Sequence, residues 1–350
     1  MAMKILILGA SYGSLLSTKL LMAGHDVTLI CRRKTADLIN AEGTAVRLKL
    51  RGEDQHRLLK SQDFSGTVDA VTPEQAHPED YDLVALAMQE PQYGEPSVKA
   101  LMARIALSRR PCLSIMNMPP LAYLHRIDAL KDADLGGCYA DPTVWRAFEP
   151  GLISLCSPDP QAFRPPEEQA NFLHVGLPTN FKAAEFASDE HNQMLRQLEA
   201  DIADIRLDGQ DVPVKLRVYQ SLFVPMAKWS MLLTGNYRCV TRGEGRAIRD
   251  AVHGDLRESR EIYAWVDELA RKLGANSEDQ VPFDKYARAA ENLLKPSSAA
   301  RAIYSGAAQI ERVDKLVQSV AASLGMHHPS VDQTVAIVDE KLFANTQKVA

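Results

Sequence analysis

A glycine-rich turn near the start of the chain is the first feature whose residue types and spacing could do chemistry. An apolar run over residues 4–8 leads into the turn, and a helical pattern follows it. The turn consists of Gly9, Ala10, Ser11, Tyr12 and Gly13. Glycines between a strand and a helix permit a tight turn, and they let backbone N–H groups approach a phosphate at the helix N-terminus. We therefore predict that these five residues bind the pyrophosphate of a dinucleotide.

The spacing within this turn leaves two alternatives open. Standard dinucleotide-binding turns read G-x-G-x-x-G, whereas this one reads G-x-S-x-G. The same letters describe the nucleophile elbow of α/β-hydrolases. That serine follows several strands of an established sheet, whereas Ser11 follows the first strand of the chain, so the position speaks against a hydrolase. A helix start that binds no ligand is the second alternative.

Three basic residues follow the second predicted strand, which spans residues 26–31. They are Arg32, Arg33 and Lys34. In NAD-binding folds an acidic residue at this place bonds the ribose hydroxyl, whereas an arginine accommodates the 2′-phosphate of NADP. The sequence therefore favours NADP over NAD, with a solvated basic turn as the alternative.

The elements that must position these residues alternate between strand and helix. Strands are predicted over residues 4–8, 26–31, 82–87, 112–116, 172–175 and 205–207, and helices over residues 14–23, 95–107 and 187–203. Such alternation implies an open, mostly parallel sheet. After about residue 212 almost no strand signal remains, and helices are predicted near residues 215–234, 250–273, 283–294, 297–308, 310–324 and 331–344. We expect an α/β fold, with a Rossmann-type doubly wound sheet over residues 1–212 and an all-α domain over residues 213–350.

Composition excludes several other classes of protein. The net charge is −5 and the basic residues form no long run, so neither nucleic acid nor a membrane is an expected partner. The five cysteines include no C-x-x-C spacing and His327-His328 is the only histidine pair, so we expect neither a disulfide framework nor a metal site. The N-terminus carries no signal-peptide pattern, and a cytoplasmic enzyme is therefore the expectation.

Two segments make the chain similar to the ketopantoate reductase family, also called 2-dehydropantoate 2-reductase. They are residues 4–10 (KILILGA) and 23–32 (AGHDVTLICR), and the similarity extends to Asn117 and Ser298. The resemblance implies a Rossmann domain, then an all-helical domain, with the active site in the cleft and NADPH reducing a 2-keto acid. It also implies that Arg32 meets the 2′-phosphate and that Asn117 lies beside the nicotinamide or the substrate.

Besides its altered glycine-rich turn, the chain departs from the family pattern in its first half at two further places. Where the family usually has a lysine after the strand near residue 87, this sequence reads Met88-Gln89, and Gln89 becomes the cofactor-binding candidate. The family expects glycine after Asn117, and here Met118 is followed by two prolines.

The family's catalytic residues are matched only in part. Its catalytic lysine, with asparagines four and eight residues later, corresponds to Lys228, Leu232 and Asn236, so one asparagine is missing. A competing alignment puts Phe223 at the lysine position. The late catalytic glutamate corresponds to Glu311, one or two positions out of register.

Hydride transfer to a carbonyl leaves an alkoxide that needs a proton. Lys228, in an apolar setting, is the candidate donor, and Glu311 is the second catalytic candidate. Asn117, Asn236 and Ser298 are the candidates for contacting a small carbonyl substrate. The alternatives are a lysine that extends from a packed helix, a helix cap at residues 297–298 and a solvated Glu311.

Three functions remain open from the sequence alone. The first is an NADPH-dependent reductase of a 2-keto acid or a related carbonyl compound. The second is an oxidoreductase that acts on a substrate with a different skeleton, such as an opine-type enzyme or a hydroxy-acid dehydrogenase. The third is a non-catalytic NADP-binding sensor. A homodimer is compatible with each of them.

Overall fold

The computed structural model describes residues 2–349. Its strands, in chain order, are β1 (Lys4–Leu8), β2 (Asp26–Ile30), β3 (Ala45–Lys49), β4 (His56–Lys60), β5 (Val68–Val71), β6 (Leu83–Leu86), β7 (Cys112–Ile115), β8 (Ile153–Ser157), β9 (Gln161–Phe163), β10 (Phe172–Leu177), β11 (Phe181–Ala184), β12 (Arg206–Leu207), β13 (Gln210–Asp211) and β14 (Leu216–Tyr219). Its helices are α1 (Gly13–Met22), α2 (Arg33–Glu42), α3 (Pro96–Ser108), α4 (Leu121–Leu124), α5 (Asp189–Ala203), α6 (Lys228–Met231), α7 (Ile248–His253), α8 (Leu256–Lys272), α9 (Phe283–Ala290), α10 (Ser298–Tyr304), α11 (Val313–Ser323) and α12 (Pro329–Val349). No helix among these residues combines the length and the apolar character needed to cross a membrane.

An eight-stranded sheet forms the core of the first half of the chain. Its strand order is β14-β11-β8-β7-β6-β1-β2-β5. Strands β5, β2, β1, β6, β7 and β8 are parallel to one another, whereas β11 pairs with β8 in the antiparallel sense and with β14 in the parallel sense. Numbered among themselves, the six parallel strands follow the order 3-2-1-4-5-6 of dinucleotide-binding folds. The predicted fold class, a Rossmann-type sheet followed by a mostly helical region, is confirmed.

The central parallel strands β1, β6, β7 and β8 are buried along almost their whole length, whereas the edge strand β5 is mostly not. The last four residues of β1 have no exposed surface, and all four residues of β6 are buried. Strands of a parallel sheet covered by helices read as continuous apolar runs rather than as alternating patterns. This property made β1, β2, β6 and β7 predictable from the sequence, whereas β8, which is also buried throughout, and the edge strand β5 were missed.

A second sheet of four strands was largely missed. Its order is β4-β3-β10-β9, and only β10 corresponds to a predicted strand, the one at residues 172–175. Strands β3, β4 and β9 are short and partly exposed, so they lack a continuous apolar signal. Strand β9 lies within the segment 158–166, whose four prolines obscure a strand pattern.

The helix predicted over residues 215–234 is wrong in its first part. Leu216–Tyr219 forms β14, in which Leu216 and Val218 are buried while Arg217 is exposed, and the strand pairs with β11. This pairing overrides the local helix signal. The remaining part is divided into a 3₁₀ turn, the four-residue helix α6 and a π-helical segment, Leu232–Asn236.

The chain divides into two compact units, and each of them is discontinuous in sequence. The first comprises residues 2–88, 92–123 and 143–220 and contains all the strands described above. The second comprises residues 89–91, 124–142 and 221–349 and contains α6 to α12. The short segments 89–91 and 124–142 therefore belong with the C-terminal helices, although they lie between strands of the sheet along the chain.

Candidate functional site

The glycine-rich turn connects β1 to α1, and close packing requires both of its glycines. Gly9 has a φ of +108°, and a Cβ there would lie 2.7 Å from the carbonyl oxygen of Ala87. A Cβ on Gly13 would lie 2.7 Å from Cγ2 of Ile7. Only glycine permits this approach of the helix start to the strands. Gly13 therefore serves the packing of α1 against β1, in addition to its predicted place beside a phosphate.

The residues between these glycines differ in their surroundings. Ser11 is exposed, whereas Ala10 is buried and its carbonyl oxygen accepts a 2.6 Å hydrogen bond from the hydroxyl of Ser14. The hydroxyl of Tyr12 donates to the carbonyl oxygen of Pro160. The first N–H groups of a helix have no partner within the helix and carry its positive dipole end. The start of α1 can therefore bind an anion such as a pyrophosphate.

The basic residues after β2 lie at the start of α2. Arg32 is the N-cap residue, and Arg33 and Lys34 are the first two helical residues, both exposed. Within the described part of the chain, none of the three forms an ion pair with a carboxylate. Their charges thus remain available to a ligand, and their role beside a 2′-phosphate stays a prediction.

Asn117 lies two residues beyond the end of β7, as predicted. Its side-chain oxygen Oδ1 is buried and has no hydrogen-bond partner among the described residues. Leaving a buried acceptor unsatisfied costs about 1–3 kcal/mol, so such a group calls for a ligand or a water molecule. An amide donor such as a carboxamide would satisfy this acceptor, which makes Asn117 a fitting contact for a nicotinamide.

The sequence analysis missed Glu90, the residue after the exposed Gln89. Glu90 is only 2% exposed, and each of its carboxylate oxygens lies 3.2 Å from the backbone nitrogen of Ala140, which donates to them. Burial raises the pKa of Glu90 to about 7, although hydrogen bonds from the backbone of Ala140 and Asp141 oppose the shift. Glu90 therefore changes its charge near neutral pH. The one sequence signal for it is a charged residue four positions after the end of an apolar strand.

Glu311 lies close to Glu90 in the second unit. The backbone N–H of Glu90 donates to Oε1 of Glu311 at 3.3 Å. The carbonyl oxygen of Glu311 accepts a 2.6 Å bond from the hydroxyl of Tyr237, which in turn accepts a 3.0 Å bond from the N–H of Val313. Glu311 is half-buried and precedes α11, so it is not a solvated helix residue.

An ion pair fixes the segment that follows Glu311. Arg312 donates two hydrogen bonds of 2.9 Å to the carboxylate of Asp314, and it also bonds Asp339 of α12. Asp314 has no exposed surface, and its burial raises its pKa although Arg312 opposes the shift. A bidentate guanidinium–carboxylate pair is among the most directional polar contacts in proteins. It fixes the start of α11, to which the backbone of Glu311 leads.

Lys228 begins α6 and is half-buried beside the fully buried Trp229. The π-helical segment begins four residues later at Leu232, which is buried, and ends at Asn236. Hydrogen bonding from i to i+5 changes the angular phase of a helix, so residues four apart no longer lie on one face. Lys228 and Asn236, eight residues apart, therefore do not share a face as they would on a regular α-helix. Phe223, the residue of the competing alignment, is buried.

The start of α10 shows which of its two serines caps the helix. Ser297, not Ser298, is the helix cap: its hydroxyl oxygen accepts a 3.1 Å bond from the N–H of Ala300. The same hydroxyl donates at 2.7 Å to the carbonyl oxygen of Asn236. Ser298 is exposed and next to this contact. Two of the predicted substrate-binding positions, Asn236 and Ser298, are thus brought together, and their role remains a prediction.

The cysteines and the histidine pair, which the sequence analysis considered for disulfides and metal binding, have ordinary surroundings. All five cysteines are free thiols. His328 packs its ring edge-on against Trp265, and its Nδ1 accepts from the N–H of Ser330. The described residues include no group of three or more histidine, cysteine or acidic side chains that could hold a metal ion.

Comparison with known proteins connects this geometry to one family. The family model described as ketopantoate reductase PanE/ApbA matches residues 5–104. No curated protein sequence matches the chain.

Several solved structures share the fold along nearly the whole chain. A 2-dehydropantoate 2-reductase from Methylococcus capsulatus is 12% identical, with a TM-score of 0.68 over 98% of this chain and 97% of that one. D-mandelate dehydrogenase with NADH and anilino(oxo)acetate is 14% identical, with a TM-score of 0.66 over 98% of this chain and 100% of that one. Dimeric ketopantoate reductase from Staphylococcus aureus is 11% identical, with a TM-score of 0.63 over 98% of this chain and 99% of that one. The resemblance predicted from the sequence is confirmed: the ketopantoate reductase model matches residues 5–104, and the fold of 2-dehydropantoate 2-reductase is shared along nearly the whole chain.

Proposed function

We propose that this chain, a divergent relative of ketopantoate reductases, is an NADPH-dependent reductase of a small 2-keto acid. The turn between β1 and α1 carries the proposal, because Gly9 and Gly13 let the helix start approach the strands as phosphate-binding turns require. The unpaired basic residues from Arg32 to Lys34 at the end of β2 support NADP in preference to NAD.

The residues of the first unit fit a dinucleotide. Residues 9–13 would bind the pyrophosphate, Arg32 the 2′-phosphate, and Asn117 the nicotinamide carboxamide through its unpartnered Oδ1. Gln89, exposed after β6, is the further candidate for contacting the cofactor. When bound, the dinucleotide supplies a hydride to the carbonyl carbon of the substrate.

The protein must then supply a proton to the substrate oxygen. We assign this step to Lys228, because the residue is half-buried and its ammonium group can donate a proton and become a neutral amine. We propose that Glu311 orients either the substrate or Lys228. Its position is held by Tyr237 and by the N–H of Glu90, so that its carboxylate does not depend on solvent for its placement.

Two features favour a keto acid other than ketopantoate. The buried Leu232 takes the place of an asparagine, and Pro119 and Pro120 follow the predicted nicotinamide contact. Losing a polar partner for a substrate hydroxyl changes substrate preference strongly, because the partner group is then left unpaired. A 2-hydroxy-acid dehydrogenase with a more apolar substrate is therefore the second candidate, and the shared fold of D-mandelate dehydrogenase supports it.

We also propose that the substrate is a small carbonyl compound. We further propose that the protein forms a homodimer. The dimeric state of the Staphylococcus aureus relative supports the homodimer. Light scattering coupled to size-exclusion chromatography tests it, and a monomer at micromolar concentration would refute it.

Two measurements test the function. Titration with NADPH and NADH is expected to give tighter binding of NADPH, and equal affinities contradict the assignment to NADP. A screen of 2-keto acids that follows NADPH absorbance is expected to find turnover of at least one aliphatic or aromatic member. Binding of NADPH without turnover of any carbonyl compound would instead support a non-catalytic NADP-binding sensor.

A further inference from the structure

One arginine outside the predicted cofactor residues reaches the glycine-rich turn. Arg164 directly follows β9, at the edge of the four-stranded sheet, where Phe163 pairs with His174 of β10. Pro165 comes next, and a residue before proline is restricted to extended backbone conformations. The backbone of Arg164 is therefore held by a strand on one side and by a proline on the other.

The guanidinium group of Arg164 lies against the turn. Its Nη2 donates a hydrogen bond of 3.3 Å to the carbonyl oxygen of Ala10. Its Nε is buried and has no hydrogen-bond partner among the described residues. The bond between the Tyr12 hydroxyl and the carbonyl of Pro160 ties the same turn to the segment that leads into β9. Two contacts thus hold Arg164 beside residues 9–13.

Among the described residues, Arg164 lacks the carboxylate partner that other arginines of the same sheet have. Arg47 of β3 forms a 2.9 Å ion pair with Glu168, and Arg57 of β4 forms ion pairs with Glu53 and Asp208. Within the described part of the chain, Arg164 forms no ion pair with a carboxylate. Burial lowers its pKa, which expresses the cost of holding this charge partly out of water. A half-buried guanidinium without a carboxylate and with an unpartnered Nε is arranged for an anion.

Arg164 also lies close enough to the end of β2 for its charge to act on a residue there. Its charge lowers the pKa of the Cys31 thiol, although burial has the larger effect and raises that pKa to about 11. Cys31 is the first residue after β2 and precedes Arg32. Between the glycine-rich turn and the end of β2, folds of this type bind the adenosine ribose, whose 2′-oxygen carries the extra phosphate of NADP.

We propose that Arg164 is a second arginine for the 2′-phosphate of NADP, acting with Arg32 from the other side of the ribose. This inference rests on the proposed dinucleotide site and adds to it a residue from a separate sheet. A guanidinium matches the geometry of phosphate oxygens and can bond them through two N–H groups. Phosphate oxygens would satisfy Nε, whereas NADH would leave it unpaired.

The experiment compares two nucleotides that differ only in the 2′-phosphate, by isothermal titration calorimetry. Adenosine 2′,5′-bisphosphate is expected to lose about 10- to 100-fold in affinity for Arg164→Ala, the range of a hydrogen bond between charged groups. Adenosine 5′-monophosphate is expected to bind wild type and variant equally. Arg164→Lys should retain part of the preference for the bisphosphate, because lysine keeps the charge but lacks the planar fork.

Arg57→Ala is the matched control, since it removes an equal charge from the same sheet at an ion-paired position. It is expected to leave both affinities unchanged, and thermal unfolding reports whether each variant is folded. An equal loss for both nucleotides would show that Arg164 contacts the 5′-phosphate instead and would overturn the proposal. Unchanged binding of the bisphosphate to Arg164→Ala would overturn it as well. Wild type that binds neither nucleotide would refute the dinucleotide site itself.

Discussion

The hydroxyl of Tyr237 lies between the carbonyl oxygen of Glu311 and the backbone N–H of Val313. It donates to the first at 2.6 Å and accepts from the second at 3.0 Å. Tyr237 and Val313 are both buried, so neither backbone group can turn to water if the phenol is removed. One side chain from the segment after α6 thus sets the backbone on which the proposed catalytic Glu311 is placed.

We expect Tyr237→Phe to lower the free energy of unfolding by about 1–3 kcal/mol, because it leaves the buried N–H of Val313 without an acceptor. Urea denaturation measures this loss. Tyr304→Phe is the control: its hydroxyl also bonds backbone groups, those of Thr241, but this tyrosine is exposed and water can replace it. Equal losses in the two variants would contradict the structural role assigned to Tyr237.

Glu90 predicts a specific pH dependence of stability. Its pKa is about 7 in the folded protein, against 4.5 for an ordinary glutamate, so between these values the folded state binds more protons than the unfolded state. Stability from this group is therefore complete below about pH 4.5 and is lost as the pH rises through 7, by a total on the order of 3 kcal/mol.

Glu90→Gln isolates this contribution, because glutamine resembles the protonated acid and does not titrate. We expect the wild type to lose stability relative to Glu90→Gln between pH 5 and pH 8, as measured by urea denaturation at both values. Asp267, whose pKa burial raises to about 6, is present in both proteins and cancels in the difference. A difference that stays constant with pH would show that Glu90 does not titrate in this range.

Gly13→Ala is expected to destabilise the protein, although alanine usually favours helices over glycine by about 1 kcal/mol. The new Cβ would lie 2.7 Å from Cγ2 of Ile7, and overpacking of this kind costs about 1–3 kcal/mol. Gly137→Ala provides the control, since a Cβ there meets nothing within 4 Å. Thermal unfolding and NADPH titration should both show a loss for Gly13→Ala alone. If Gly13→Ala behaves like the control, α1 does not need this close approach.

Lys228→Ala is expected to lower kcat by roughly 10²–10⁴, the usual contribution of a general acid, and to leave NADPH affinity unchanged. Lys228→Arg should not restore turnover, because a guanidinium keeps its proton at neutral pH. Lys272→Ala, which removes an exposed lysine at the end of α8, should change neither quantity. Normal turnover by Lys228→Ala would remove Lys228 from the catalytic residues.

The part of the fold that was predictable from the sequence is the part specified by local patterns. The apolar run of residues 4–8 corresponds to β1 without a shift, and the helix predicted over residues 14–23 is α1 displaced by one residue. Buried parallel strands and glycine-bounded helices leave such signals because the whole element has one environment. The glycine-rich turn and Asn117, which follow buried strands, were therefore found where they were expected.

The parts that were missed depend on contacts between distant residues. Arg164 reaches Ala10 only because β9 joins a sheet with β10, β3 and β4, and no pattern near residue 164 indicates this pairing. Burial raises the pKa of Glu90, and its contacts are with residues 50 and more than 200 positions later in the chain. The strand Leu216–Tyr219 is defined by its partner β11, and four residues alone do not distinguish a strand from the first turn of a helix.

The discontinuity of the two units has a consequence for synthesis on the ribosome. When residue 220 has been made, the first unit is complete in sequence, but segments 89–91 and 124–142 still lack the helices with which they pack. Glu90 must wait for Glu311 to be translated before its N–H has its acceptor. At ordinary elongation rates, the time between the synthesis of Glu90 and that of Glu311 is on the order of ten seconds. For that time the nascent chain exposes residues that are buried in the finished protein, and we expect chaperones to bind it there.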